Sequence, residues 1–340
     1  MATIAENIQT LRSIKSDIKN AIIQKGGSVT DAFGTYAQAI TNLPSGGGGG
    51  TENEDALVTG TLSEYSNDRV SMVGSYAFYS YSNLTSVNLP NCISVEGYAF
   101  YRCLSLTSVN LPNCSYIGAS AFYLCSSLTS IDLPNCSYIG SWAFCVCQNL
   151  TSVNLPNCIS VDASAFYICS SLTSIYLPLC SSINEYAFAE CSSLKYVNLP
   201  LCEYVGSNTF RNCSNLVSVG LSNCETISGY AFYKCSALTN IDLPNCRDLN
   251  GQSVFYNCTK LTVVKIPLCT VLGFEAFAIC NNLTQVYLNS VTSVTQIQSD
   301  TFSNCPNLTS VYVPASLVDA FKTAQYWSSI STKIVAYTGA

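Results

Sequence analysis

The stretch LPNCSYIGASAFYLCSSLTSID, residues 111–132, decides how the chain is read. It carries two cysteines, Cys114 and Cys125, in a protein without histidine. Near-copies follow each other down most of the chain. Phenylalanines fall at Phe78, Phe100, Phe122, Phe144, Phe166, Phe188, Phe210 and Phe232, each 22 residues after the last. The series continues at Phe255, Phe277 and Phe302, after steps of 23, 22 and 25 residues. Self-similarity at a fixed period of this size marks a solenoid, and eleven phenylalanines predict about eleven coils.

The unit is L-T-S-V-x-L-P-N-C-x-x-I-x-x-x-A-F-Y-x-C-x-x. In Leu84 to Pro90 the apolar residues Val87 and Leu89 alternate with an outward Asn88, which is strand periodicity. Proline then ends the strand, because it has no N–H to give the ladder. From Val95 to Phe100 an aliphatic residue and an Ala-Phe pair supply the opposite wall. One unit cannot cover its own apolar face; stacked units can, each strand pairing in parallel with the next. Eleven coils at the strand spacing of ~4.8 Å give a rod roughly 50 Å long. One extra residue falls near Asn250 and Gly251, and three between Val291 and Phe302. Both insertions are expected to bulge as surface loops that leave the core unchanged.

Four zones follow. Residues 1–44 carry helical periodicity, with Ile4, Ile8, Leu11, Ile18 and Ile22 on one stripe and Gly26 and Gly27 as a stop. So apolar a stripe predicts a docking or oligomerisation module. Residues 45–56, with five consecutive glycines, predict a flexible tether. The solenoid occupies 57–314, and 315–340 form a C-terminal cap.

Bulk composition narrows the partners. The 340 residues are 48% hydrophobic and only 10% charged, with a net charge of −6. An acidic, charge-poor chain lacks the basic patches that nucleic acids and anionic membranes require. The N-terminus lacks the basic start, apolar centre and small-residue cleavage site of a signal peptide. No uncharged apolar run approaches bilayer-spanning length, so no membrane insertion is expected.

The recurring L-x-x-V-x-L-P…I-x-x-x-A-F-x-x-C-x-x-L pattern over residues 62–340 resembles the BspA-like, Treponema-type leucine-rich repeats. The segment VPASLVDAFKTAQYWSSISTKIVAY, residues 313–337, is similar to the piece that closes many such arrays. The resemblance implies a β-rich leucine-rich-repeat solenoid that works in surface adhesion and macromolecular binding, not in catalysis. Arg211, Ala189 and Cys145 depart from the usual Tyr after Phe, and Thr209 and Val254 from the usual Ala. The leader, with IKNAIIQKGG, FGTYAQAI and a glycine run, resembles short leaders of phage and prophage tail and fibre proteins.

The cysteines form two rows at the repeat period. One runs from Cys92 to Cys269 and the other from Cys103 to Cys305; only Cys145 stands off both. Rows at the coil spacing fit small, reduced core residues whose thiols donate weakly to turn carbonyls. Disulfides between stacked copies satisfy the allowed Cα separation, but parallel Cβ vectors give poor dihedrals. Zinc wants close cysteine pairs or histidine, and the close pair Cys145-x-Cys147 is solitary. A catalytic thiol needs a base, and there is no imidazole. Cys145 replaces a tyrosine expected to point outward, so an exposed thiol is expected there. Asp132 and Asp242 share one strand position five repeats apart, ~24 Å at the strand spacing, too far for a glycosidase pair. No phosphate loop appears and no cofactor or metal is called for.

The outward strand positions remain. They are small and polar in the first half, Ser with Asn or Asp132, and diversify from Tyr176 onward. Tyr176, Tyr196, Asn198, Asn240, Asp242, Lys265, Gln285, Tyr287 and Tyr312 are the candidate binding residues, against the alternative of an unspecialised solvent face. Aromatic plus amide surface suits a glycan or a protein partner. A second stripe, Tyr79, Tyr101, Tyr123, Tyr167, Tyr233 and Tyr256, fits a packing row. The sequence thus predicts a non-enzymatic receptor-binding protein on a phage or prophage tail, carried in the virion and directed at a host-surface glycan or protein. Its leader self-associates or docks on a structural protein. A bacterial surface or secreted adhesin is the alternative.

Overall fold

Each coil is built from one three-residue strand, a turn, a two-residue strand and a tight wall carrying the phenylalanine. The computed structural model describes residues 62–339. The expected helical leader with Ile4, Ile8, Leu11, Ile18 and Ile22, and the glycine tether, lie outside the described residues.

Twelve front strands stack in parallel, from Glu64–Ser66 through Ser86–Asn88 and its copies to Ser310–Pro314. The count exceeds the eleven phenylalanines because the last front strand, Ser310–Pro314, opens a twelfth turn beyond Phe302, where the phenylalanine ladder ends. Register is residue for residue: Ser86 faces Ser108, Val87 faces Val109 and Asn88 faces Asn110. Alternation sends Val87 inward and its two neighbours outward, with Leu84 and Leu89 completing the buried side. The front ladder divides into sheets of five, three and five strands, the last including Ile334–Tyr337. Opposite it, ten two-residue strands from Met72–Val73 to Val271–Leu272 form one continuous back sheet.

Between the sheets the phenylalanine ladder fills the core. Rings of successive coils stack nearly parallel, at centroid separations from 5.0 Å for Phe78 and Phe100 to 5.7 Å for Phe188 and Phe210. The wall that carries them holds two left-handed residues per coil, such as Tyr98 (φ 60) and Arg102 (φ 59), or Trp142 (φ 60) and Val146 (φ 61). Non-glycine residues pay a steric penalty there. The conformation persists because it lets alternate N–H groups point along the axis. Tyr98, Phe100 and Arg102 donate to the carbonyls of Ala119, Ala121 and Tyr123 in the next coil.

Both cysteine rows are buried and all twenty thiols are free. In the first row each sulfur donates two residues ahead, as Cys114 Sγ does to the Tyr116 carbonyl at 3.2 Å. In the second row each donates to the core phenylalanine carbonyl one coil back. Cys125 Sγ reaches Phe100 O and Cys169 Sγ reaches Phe144 O, both at 3.1 Å. The thiols are therefore inter-coil staples as well as filler.

Two expectations need correction. Cys145 is buried, not exposed. Small side chains at this position stay buried, as Ala189 and Ala278 also do, and the neighbouring Trp142 touches the rings of Tyr123 and Tyr167. Burial pushes the Cys145 thiol up to about 12. The late insertion is not a mere surface bulge either. Its Thr295 is buried, donates to the Cys269 carbonyl at 2.8 Å, and accepts the Trp327 indole N–H on its own carbonyl at 2.7 Å. Trp327 also packs against Phe302 and Phe321, from the helix Val318–Thr323. Strand Ile334–Tyr337 then adds in parallel to Ser310–Pro314. None of the helices among the described residues is long and apolar enough to cross a membrane.

Candidate binding face

Two outward side chains per front strand make two columns along the rod. In the first five coils the second column is a polar ladder closed on itself. Asn88 Nδ2 donates to Ser66 Oγ at 3.0 Å, Asn110 Nδ2 to Asn88 Oδ1 at 2.7 Å, and Asn154 Nδ2 to Asp132 Oδ1 at 2.7 Å. Thr107, Thr151 and Thr173 run beside it, each hydroxyl donating to the carbonyl 22 residues back. Hydrogen-bonding capacity spent laterally is not available to a ligand.

The pattern changes in the three-stranded middle sheet, Ser174–Tyr176, Tyr196–Asn198 and Ser218–Gly220. Tyr176 faces Asn198 across the ladder, and Ser174 faces Tyr196, so the tyrosines lie on a diagonal. Both are 58% exposed. Asn198 faces Gly220, where a Cβ would stand 2.7 Å from Asn198 Oδ1. The asparagine side chain thus lies over the gap left by the glycine.

The remaining candidates fall in the last sheet. Asp242 pairs with Lys265, and Lys265 with Tyr287, so one acid and one base sit side by side. Asn240 is an exposed neighbour of Val263, and Gln285 accepts a 3.1 Å hydrogen bond from Tyr287 Oη. Tyr287 and Tyr312 stack at 4.6 Å and Tyr337 meets both edge-on. Burial, with the phenols of Tyr312 and Tyr337 nearby, raises the Tyr287 pKa. The structure therefore separates the nine sequence candidates into two groups, Tyr176, Tyr196 and Asn198 in one and the rest in the other, divided by Gly220. Sequence reasoning missed Tyr337. Its signal was the alternation in Ile-Val-Ala-Tyr, which marks 334–337 as one more strand.

The aromatic row on the wall is also more than a repeat of single rings. Tyr76, Tyr79, Tyr98, Tyr101 and Tyr123 are linked by ring contacts, and Trp142, Tyr167 and Tyr186 extend the chain. Within the ladder the planes are nearly parallel, 3° for Tyr79 and Tyr101 and 5° for Tyr101 and Tyr123. Rings stacked along the axis show edges to solvent and spend their faces on each other. On the back sheet Tyr138 Oη donates to Asp162 Oδ2 at 2.6 Å, which holds the phenol up at about 12.

The coil geometry and the exposed parallel front sheet define a leucine-rich-repeat solenoid. The family model described as BspA type leucine rich repeat region matches residues 71–195, 159–277 and 203–331. Together these spans cover more than half of the chain, which belongs to the BspA-type leucine-rich-repeat family. Among solved structures the chain is similar to a leucine-rich repeat protein from Bacteroides ovatus, at 23% identity and a TM-score of 0.44, over 80% of this chain and 88% of that one. It is also similar to a leucine rich cell surface protein from Faecalibacterium prausnitzii, at 22% identity and a TM-score of 0.41, over 82% and 80%. The pneumococcal vaccine antigen PcpA matches at 17% identity and a TM-score of 0.44, over 81% and 85%. No protein with a curated description matches significantly.

Proposed function

We propose that this protein is a non-enzymatic binding module of the bacterial surface or secreted type, and that it engages a macromolecule through its front strand face. The observation that carries the reading is internal to the chain. Core positions repeat almost unchanged over eleven phenylalanine coils, whereas outward front positions abandon the Ser/Asn pattern from Tyr176 onward. A merely solvated face has no reason to diversify on one half only. Family membership supports binding over catalysis. The phage-tail setting draws no support from the family match or from the similar structures, and the surface or secreted adhesin takes its place. The leader's role as a docking or self-association element stays part of the proposal.

The face is tested by blocking it. The full chain is immobilised and probed with purified polysaccharides and extracellular proteins. Asn198→Arg with Asp242→Arg should abolish any binding found, and Ser181→Arg on the opposite side should leave it intact. Binding that survives the front-face pair and is lost with Ser181→Arg would move the site off the strands.

A further inference from the structure

Resting on the front-face reading, we infer that the three-stranded middle sheet is a glycan subsite, with Tyr176 and Tyr196 as stacking platforms and Asn198 as the polar contact between them. Three observations converge. Of the strongly exposed large apolar or aromatic side chains among the described residues, only these two tyrosines lie on front strands, and at 58% each they are the most exposed of all. Among the described residues neither ring touches another ring, unlike the stacked wall tyrosines and the Tyr287, Tyr312 and Tyr337 cluster. Their faces are free. Among the described residues the Asn198 amide makes no side-chain hydrogen bond, whereas Asn88, Asn110 and Asn154 spend theirs on the lateral ladder. Its donor and acceptor are both open.

The chemistry of these groups selects the ligand. A pyranose ring offers a C–H face that packs on an aromatic face and hydroxyls that both donate and accept, which is the capacity of a primary amide. Two residues along the strand and one strand across, the tyrosines stand about 8 Å apart from strand rise and spacing, so one oligosaccharide can lie across both. A protein partner would need an apolar centre around the rings. On the ladder itself their register partners are Ser174, Asn198 and Ser218, all polar, with Gly220 bare beyond Asn198. Charge agrees. The middle sheet presents no carboxylate and its flanking Lys195 is exposed, so the site is locally neutral to positive although the chain as a whole carries a net charge of −6. That suits a neutral sugar or a uronic acid and disfavours a cationic ligand. Nucleic-acid bases, which also stack on tyrosine, are disfavoured by the lack of a basic groove among the described residues.

The test uses the full chain on immobilised dextran, mannan and galactan as neutral probes and alginate and polygalacturonate as acidic ones, with collagen and laminin as protein probes. At least one polysaccharide should bind. The pair Tyr176→Ala and Tyr196→Ala should weaken it about tenfold or more, and the pair Tyr176→Phe and Tyr196→Phe by no more than about threefold, since the ring face remains. Tyr204→Ala, exposed on the back sheet, should change nothing. Lys195→Ala should weaken acidic probes alone. Because both tyrosines are exposed, the Phe pair also guards against misfolding as a cause. No binding to any polysaccharide overturns the inference. Polysaccharide binding lost with Tyr287→Ala but kept by the Ala pair overturns the subsite and leaves the front face standing. Collagen or laminin binding that depends on Tyr176 and Tyr196, without any sugar binding, overturns the glycan and keeps the face. Sugar binding indifferent to every front-face substitution overturns both.

Discussion

At the scale of the residue, the thiols set the conditions under which this protein exists. Ten cysteines, from Cys103 to Cys305, donate to the phenylalanine carbonyl of the preceding coil. Burial raises every one: Cys305 to about 11, Cys103 to about 12, and Cys125, Cys169, Cys213, Cys235 and Cys280 well above the ordinary value of 9.0. A thiol raised in the folded state is neutral in both states below pH ~8.5 and has no effect there. Above that pH the unfolded chain loses protons that the folded chain keeps, so stability falls until the folded thiol ionises too. Each thiol contributes a slope of about 1.4 kcal/mol per pH unit in that window. Urea midpoints should therefore be level from pH 6 to 8 and collapse between pH 9 and 11. A level profile to pH 11 would mean that the thiols are not buried as described. Replacing one staple is milder. Cys169→Ala loses a buried donor and leaves a small void, with an expected loss of about 1–2 kcal/mol by chemical denaturation.

At the scale of the element, the coil is held by the phenylalanine ladder more than by its strands, which are only two or three residues long. Phe166 stacks at 5.2 Å on Phe144 and at 5.2 Å on Phe188. Phe166→Ala should cost about 3–5 kcal/mol and, by opening the middle of a one-dimensional stack, broaden the thermal transition into two. A single sharp transition with an unchanged midpoint would refute the ladder's role. This coil was largely legible in the sequence, because the 22-residue step and the Val-x-Leu-Pro alternation are local signals. The front strand of the first coil was not, although Phe78 marks that coil, since Tyr65 substitutes for the valine and only its partner Ser86–Asn88 reveals it as a strand. Cys145 was misjudged because a short side chain after the core phenylalanine stays beneath the surface, as Ala189 and Ala278 do, where a tyrosine reaches out. The candidate face was readable as two columns by period-two alternation. Its division was not. Whether a tyrosine keeps a free face, as Tyr196 does, or spends it, as Tyr312 does, depends on the neighbouring coil and not on its own sequence.

At the scale of the whole molecule, a solenoid is a chain of nearest-neighbour interfaces, so its ends govern its persistence. The C-terminal end is closed by a connected set. Trp327 covers Phe302 at 5.9 Å and Phe321 at 5.1 Å, and its indole N–H is donated to the Thr295 carbonyl at 2.7 Å. Lys333 Nζ donates to the Leu308 carbonyl, and Ile334–Tyr337 pairs with the last front strand. Thr295 belongs to the three-residue insertion, so the added residues serve the closure and explain why the final phenylalanine step is 25 residues. Trp327→Ala removes a fully buried ring and leaves the Thr295 carbonyl unpaired, an expected loss of about 3–5 kcal/mol. In a one-dimensional stack the loss is local. Amide hydrogen exchange should quicken over residues 285–312 and stay unchanged over 86–132, and Trp327→Phe should restore part of the protection without the hydrogen bond. Equal acceleration along the whole rod would show that the coils unfold as one body, and the description of the molecule as a stack of semi-independent turns would have to be abandoned.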